Sequence, residues 1–242
     1  MIQLNCDMGE SFGIWEMGED KSIMPYINMA NLACGFHAGD ALTMKKSVAL
    51  AKKNKVSIGA HPGYQDLVGF GRRSITCTKE EISSIVLYQI AALSGFCVAQ
   101  ESNISYVKPH GALYNDMMKD QDIFRAILST VSSFDKNINL MILSSSKNDE
   151  YETISKEYGI DLLYEVFADR NYNDDGSLVS RVETNAVIVD EKEVINRVIT
   201  LKENGFLYSI SGKELFLKTD TICVHGDNEK ALDFIKILRK AI

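Results

Sequence analysis

The stretch "ISYVKPHG", residues 104–111, is a short apolar run that ends in lysine, proline, histidine and glycine. Short apolar runs bounded by turn-forming residues are typical of buried β-strands. We therefore predict that Lys108 and His110 lie at the carboxyl end of a strand. In parallel α/β proteins this end of the sheet is where active sites are built.

Similar apolar runs alternate with helical patterns along the whole chain. Six more of them are predicted to be buried strands, at 2–6, 29–36, 56–60, 139–144, 162–168 and 221–224. Seven strands that alternate with helices indicate parallel pairing through right-handed crossovers. We predict an α/β fold, a distorted seven-stranded (β/α) barrel, with an open doubly wound sheet as the alternative.

Helix-start signals support this division of the chain. Asp40 is predicted to cap the helix that follows it, and Thr78 with Glu81 forms a capping-box pattern for a helix that runs to about residue 100. Ser146, with an aspartate three residues later, is a further start signal.

No linker or change in composition divides the chain, so residues 1–242 are predicted to form a single barrel domain. The segment "FLYSISGKELFL", residues 206–217, is predicted to be a small β-hairpin that decorates the barrel before its last strand. Residues 169–185 are too long and polar for a plain connector, which indicates a lid or binding loop.

Composition excludes several classes of function. The net charge is −7, from 33 acidic and 26 basic residues, and a basic face for nucleic acid or anionic membranes is not expected. Five cysteines without a CxxC pair indicate free thiols in a reducing compartment. The opening "MIQLNCD" lacks the pattern of a secretory signal, so a cytoplasmic protein is expected. The uncharged run 82–100 contains serine, glutamine and glycine, which favours a buried helix over a membrane span.

All four histidines occupy one kind of position. Each follows an apolar run and has a glycine within two residues; they are His37, His61, His110 and His225. The first strand ends similarly, in "LNCDMGE", which contains Asp7 and Glu10. A lone histidine at a strand end is more often structural, but the repeated position predicts that these side chains converge in a functional site.

Such a set suits two kinds of chemistry. Histidine and carboxylate at short range transfer protons near neutral pH, and two histidines with an aspartate could instead hold a divalent metal. Lys108 could stabilise an oxyanion or simply pair with a carboxylate. The catalytic candidates are Asp7, Glu10, His37, His61, Lys108, His110 and His225.

Other polar residues near the strand ends are candidates for binding an anionic substrate. Arginine beside glycine in "DLVGFGRRS" suits a carboxylate or phosphate, although solvated arginines are equally common. These candidates are Asp40, Gly71, Arg72, Arg73, Asn115, Asp169 and Arg170. The sequence has no Walker A motif and no GxSxG elbow, so neither autonomous ATP hydrolysis of a common type nor a nucleophilic serine is indicated.

Six stretches together resemble the LamB/YcsF family, the A subunits of bacterial ATP-dependent 5-oxoprolinase. They are "LNCDMGESFG" (4–13), "NLACGFHAGD" (31–40), "IGAHPGYQDLVGFGRR" (58–73), "VKPHGALYN" (107–115), "EVFADRNYNDDGSLVSR" (165–181) and "TICVHGDN" (221–228). Ala41 and Gln65 stand where such proteins often have proline, outside the polar groups.

The resemblance implies a barrel of the glycoside hydrolase/deacetylase type and a hydrolase that converts 5-oxo-L-proline (pyroglutamate) to L-glutamate with ATP. It also implies B and C partner subunits, which share or supply the ATP chemistry. Asp7 with His61 or His110 would activate water, while Lys108 and Arg72 would balance negative charge. By analogy with metal-dependent deacetylases of this fold, Asp7, His61 and His110 are the metal candidates.

Two other functions remain open from the sequence. One is a metal-dependent carbohydrate de-N-acetylase, which would act without ATP or partners. The other is a non-catalytic subunit that binds 5-oxoproline and docks catalytic partners.

Overall fold

Seven parallel strands close into a barrel in the computed structural model, which describes residues 2–180, 182–224 and 231–242. The strands are β1 Gln3–Met8, β2 Met29–Ala33, β3 Ser57–His61, β4 Ile104–Val107, β5 Asn139–Leu143, β6 Leu162–Phe167, β7 Phe206–Tyr208, β8 Glu214–Phe216 and β9 Thr221–Cys223. The barrel order is β1-β2-β3-β4-β5-β6-β9, and β9 pairs with both β6 and β1. The closure confirms the predicted seven-stranded barrel and rules out the open sheet.

Helices surround the barrel and connect successive strands. They are α1 Asp20–Ile23, α2 Ala41–Asn54, α3 Lys79–Val98, α4 Gly111–Met117, α5 Gln121–Phe134, α6 Asn148–Tyr158, α7 Glu191–Asn204 and α8 Ala231–Ala241, with a 3-10 helix at Met24–Tyr26. Between α7 and β9, the strands β7 and β8 pair antiparallel as a separate two-stranded sheet.

Two of the three predicted helix starts are confirmed. The carboxylate of Asp40 accepts the backbone N–H of Thr43 at 2.8 Å, and Thr78 and Glu81 form the reciprocal capping box of α3. The third was wrong. The hydroxyl of Ser146 donates to the carbonyl of Asp175 at 2.9 Å, so it secures a loop, and α6 begins at Asn148 without a side-chain cap.

Among the described residues, α3 is the helix that is long and apolar enough to cross a membrane. One face of it is buried in the core, through Ile82, Val86, Ile90 and Leu93. It packs on α5 and on β3 and β4. This packing agrees with the predicted buried helix.

Alternation along the strands separates two environments. In β1, Leu4, Cys6 and Met8 join the apolar core shared with the helices, whereas Asn5 and Asp7 point into the barrel. The interior is polar at this level, since Asn5 bonds to Thr221 across β1 and β9, and Asn31 bonds to Asn5. The barrel therefore supports the site with polar side chains at this level, and Met29, Tyr106 and Met141 form a separate apolar cluster inside it.

Candidate active site

A cavity of about 460 Å³ lies at the carboxyl ends of the barrel strands. The predicted site residues that line it are Asp7, Glu10, His61, Arg72, Lys108, His110, Asn115 and Arg170. They come from β1, β3, β4, β6 and the loops that follow these strands, so residues far apart in the chain meet at one rim. The fold places them there because parallel strands all end on the same side of a barrel.

Of the remaining predicted residues, His37 and Gly71 pack against His110 behind the cavity wall, and the others lie elsewhere. Asp40 caps α2 and also accepts the N–H of Gly13 at 2.7 Å. Arg73 is paired with the carboxylate of Asp66, and Asp169 does not line the cavity. The role of these three residues in anion binding stays a prediction, and His225 lies outside the described residues.

Asp7 is held by two donors at one oxygen. Its Oδ1 atom accepts from Lys108 Nζ at 3.0 Å and from Asn31 Nδ2 at 2.7 Å. Its Oδ2 atom lies 3.4 Å from His61 Nε2, and the side chain is 14% exposed to the cavity. The carboxylate therefore presents one oxygen to the histidines and has the other fixed.

Lys108 is enclosed by acceptors. Four acceptor atoms lie within 3.3 Å of its Nζ atom: Asp7 Oδ1, Glu165 Oε1, Asn5 Oδ1 and Cys223 Sγ. Burial by itself would lower the pKa of Lys108, but Asp7, Cys223 and Glu165 outweigh it and hold that pKa well above its usual value. Of the two roles that the sequence left open, pairing with carboxylates is the one that this geometry favours.

His61 and His110 form a bonded pair whose outer nitrogens both contact backbone carbonyls. His61 Nδ1 lies 2.6 Å from the carbonyl of Lys108, and His110 Nε2 lies 2.8 Å from that of Phe70. Carbonyls only accept, so both outer nitrogens carry hydrogen. The inner nitrogens, 2.9 Å apart, then both present lone pairs when the rings are neutral. The contact requires a shared proton or a cation.

His37 lies behind this pair. Its ring stacks on His110 with centroids 3.7 Å apart, and neither of its nitrogens has a hydrogen-bond partner among the described residues. Burial, with the neighbouring histidines, lowers the pKa of His37, and burial followed by His61 lowers the pKa of His110 to about 3. Both rings are therefore neutral near pH 7 and keep lone pairs for a proton or a metal.

The donor set fits a divalent metal. Ligand atoms of Glu10, His37, His61 and His110 all lie within 4.8 Å of one another, and imidazole and carboxylate suit such ions. This set shares His61 and His110 with the set implied by the resemblance. It replaces Asp7, whose Oδ1 is bound by Lys108 and Asn31, with Glu10 and His37.

The loop after β3 packs tightly against the histidines. Phe70 and Gly71 both have positive φ, +53° and +62°, and this turn aims the Phe70 carbonyl at His110. A Cβ on Gly71 would lie 2.7 Å from His37 Cβ and 2.8 Å from His110 Cδ2. Gly111 is equally tight, since its Cβ would lie 2.6 Å from the carbonyl oxygen of Gly71. Glycine is therefore required where the loop and α4 meet.

The 169–185 loop lines the opposite side of the cavity, through Ser177, Leu178, Val179, Ser180 and Val182. Buried Arg170 ties the loop together, because its guanidinium donates to the carbonyls of Val179 at 2.6 Å and Ala186 at 3.1 Å. Its position supports the predicted lid or binding loop.

Sequence reasoning missed the residues inside the barrel. Glu165 is fully buried and pairs with Lys108 at 2.8 Å, while Tyr114 donates to Glu165 at 3.0 Å. The available signal was a single acid in the middle of the apolar run "LLYEVFA". Asn5 and Asn31 gave the same signal, each a polar residue inside a predicted buried strand.

Fold and site together define a class: a parallel seven-stranded α/β barrel with a histidine–carboxylate centre at the carboxyl ends of its strands. The model of the LamB/YcsF family matches residues 2–242, and the chain belongs to that family. This confirms the resemblance noted in the sequence.

Known proteins are similar to this chain over its full length. A protein named as the A subunit of 5-oxoprolinase, from Vibrio vulnificus (strain YJ016), is 52% identical over 241 residues, which cover 100% of this chain and 97% of that protein. One of the same name from Pyrococcus horikoshii is 48% identical, covering 100% and 93%. The crystal structure of a lactam utilization protein from Thermus thermophilus has a TM-score of 0.91 at 38% identity, covering 99% of this chain and 95% of that one.

Proposed function

We propose that this chain is the A subunit of an ATP-dependent 5-oxoprolinase, a hydrolase that opens 5-oxo-L-proline to L-glutamate. The full-length relatives that carry the 5-oxoprolinase name and the likeness to a lactam utilization protein support this proposal. The observation that carries it is the Asp7–His61–His110 centre in a cavity with a charged wall.

The centre suits hydrolysis of a cyclic amide. Water must lose a proton as it adds to the ring carbonyl carbon, and the ring nitrogen must gain one as the C–N bond breaks. Asp7 Oδ2 and His61 Nε2 face each other at 3.4 Å, and His110 continues the path, so a proton removed from water can pass along these groups to the leaving nitrogen. Arg72 at the cavity wall would bind the substrate carboxylate.

ATP enters through the complex in this proposal. Phosphorylating the amide oxygen turns a resistant lactam into a better electrophile, and the sequence of this chain contains no Walker A motif. The B and C partner subunits, in the cytoplasm, would therefore supply or share the nucleotide site. This chain, acting as one catalytic domain, would host the lactam or its phosphorylated form.

A divalent metal is the cofactor that the residues fit. Glu10, His37, His61 and His110 would hold it, and a bound metal would lower the pKa of water and so supply hydroxide at neutral pH. With the metal bound, the inner nitrogens of His61 and His110 would be ligands instead of proton carriers, and Asp7 would carry the proton. Independently of the metal, Lys108 and Asn31 fix the orientation of Asp7.

Reconstitution tests the proposal. The chain is co-purified with the proteins encoded beside it, and glutamate release from 5-oxoproline is measured with ATP, with and without the chain. We expect release only when the chain and its partners are all present. ATP-dependent release without the chain would contradict the proposal and leave a substrate-binding role.

The cluster of possible metal ligands, Glu10, His37, His61 and His110, also favours a second candidate function, a metal-dependent carbohydrate de-N-acetylase. Release of acetate from an acetylated sugar, without ATP or partners, would replace the 5-oxoprolinase assignment.

A further inference from the structure

A charged residue below the cavity has no part in the proton path described above. Glu165 lies in the middle of β6 and is fully buried. Its Oε2 atom accepts from the hydroxyl of Tyr114 at 3.0 Å, and its Oε1 atom forms an ion pair with Lys108 Nζ at 2.8 Å. Burying a carboxylate is costly unless it is paired, and these two partners offset that cost.

Lys108 connects Glu165 to the cavity. Its ammonium lies between two carboxylates, with Glu165 at 2.8 Å and Asp7 at 3.0 Å. Asp7 in turn has Oδ1 occupied by Lys108 and Asn31, which leaves Oδ2 directed at His61. A continuous chain of contacts therefore runs from Tyr114 on α4 to the reactive oxygen of Asp7.

We propose that Glu165 is a positioning residue that sets the orientation of Asp7 through Lys108. The inference rests on the proposed function, in which Asp7 accepts a proton from water. Glu165 and Asp7 both attract the ammonium, so Lys108 divides its charge between two carboxylates. Without Glu165, Lys108 pairs with Asp7 alone, which moves the carboxylate relative to His61.

Tyr114 holds the far end of this chain of contacts. It is buried on α4, and its hydroxyl stays protonated because burial and then Glu165 hold its pKa well above the usual value. It therefore donates to Glu165 and fixes which oxygen faces Lys108. Tyr114 differs from Phe by this one hydrogen bond, so Tyr114→Phe weakens the same positioning with little change in volume.

The test is steady-state kinetics of glutamate formation by the reconstituted complex containing Glu165→Gln. Gln keeps the size of the side chain and removes its charge. We expect kcat to fall about 10- to 100-fold with KM changed less than about threefold, because Asp7 is displaced while the substrate contacts stay intact. Tyr114→Phe is expected to lower kcat in the same direction by a smaller factor, and it serves if Glu165→Gln does not fold.

The chain offers a matched control on its outer surface. Glu152 Oε2 accepts from the Tyr164 hydroxyl at 3.1 Å and contacts Lys218 Nζ at 2.7 Å, and its Oε1 accepts from Lys156 at 2.9 Å. Like Glu165, it therefore has tyrosine and lysine partners, but away from the cavity. Glu152→Gln should leave both kinetic constants unchanged. A fall in kcat in this control equal to that of Glu165→Gln would overturn the inference.

A crystal structure of Glu165→Gln separates this inference from the proposed function, because it needs no substrate. We expect the contact between Lys108 Nζ and Asp7 Oδ1 to change and Asp7 Oδ2 to move relative to His61. An Asp7 carboxylate left in place, or an unchanged kcat, would overturn the positioning role. If the wild-type complex releases no glutamate, the proposed function fails, whereas the Asp7 geometry still tests the link from Glu165.

Discussion

The contact between His61 and His110 determines what the centre can bind. Each ring gives its outer N–H to a backbone carbonyl, and the two inner nitrogens lie 2.9 Å apart. A proton or a metal ion must occupy the space that these lone pairs face. Two carboxylates lie next to these rings: Glu10 Oε1 is 3.8 Å from His37 Nε2, and Asp7 Oδ2 is 3.4 Å from His61 Nε2.

Metal analysis of purified variants distinguishes the two ligand sets. We expect the protein to bind about one equivalent of a divalent metal such as zinc, by analogy with other sites that combine histidine and carboxylate. His37→Ala and Glu10→Gln should reduce that content at least about tenfold, whereas Asp7→Asn should retain it. Loss of metal in Asp7→Asn with retention in His37→Ala would instead support the set Asp7, His61 and His110.

Gly71 provides a test of the loop that covers the histidines. Alanine at Gly71 would adopt a positive φ and press its Cβ on His37 and His110, so Gly71→Ala should lower the free energy of unfolding by about 2 kcal/mol. It should also reduce activity by disturbing the histidine stack.

The matched control is Gly95→Ala, measured in the same urea titrations. Gly95 lies within α3 and a Cβ there meets nothing within 4 Å, so alanine should stabilise the protein by up to about 1 kcal/mol. If Gly71→Ala and Gly95→Ala changed the free energy of unfolding equally, contact with the histidines would not be the cause of the loss of stability in Gly71→Ala.

At the scale of elements, the 169–185 loop is attached to the barrel by a buried arginine. Arg170 donates to two carbonyls that lie on either side of the loop, and Arg197 of α7 donates to the side chain of Asn171 at 2.9 Å. These bonds act together with Tyr172, which is fully buried in the core, to fix the loop.

Arg170→Met should loosen this loop. Hydrogen exchange of residues 171–186 is expected to become faster, and KM for 5-oxoproline should rise more than kcat falls, because the loop forms a wall of the cavity. Arg125→Met, which removes an exposed pair with Glu157 on the outer helices, is the control and should change neither. Unaltered exchange in Arg170→Met would contradict the tethering role.

Strand positions were predictable because the barrel strands are short apolar runs, and all of them except β5 are followed within a few residues by a histidine or an acid. That pattern located Asp7, His61 and His110 correctly at the strand ends. It could not locate Glu165 or Asn31 as parts of the site, since their partners lie on strands far away in sequence. Arg73 shows the opposite limit: its side chain turns to Asp66, seven residues away, and local sequence does not reveal that choice.

At the scale of the whole molecule, barrel closure brings β1, β3 and β4 to one rim. Asp7 on β1 reaches Lys108 beyond β4, which lies three strands away around the barrel. Parallel pairing and closure therefore produce the site. They also place polar side chains inside the barrel, where Asn5 donates to Thr221 and accepts from Asn31. An open sheet would separate these groups.

The most direct test of whether this rim carries out the reaction is glutamate release by the reconstituted complex. The wild-type chain is replaced in it by Asp7→Ala or His110→Ala. Circular dichroism and thermal unfolding establish that each variant is folded. We expect each folded variant to release glutamate at least about 1,000-fold more slowly than wild type with ATP present. Wild-type rates in both folded variants would show that the lactam is opened elsewhere.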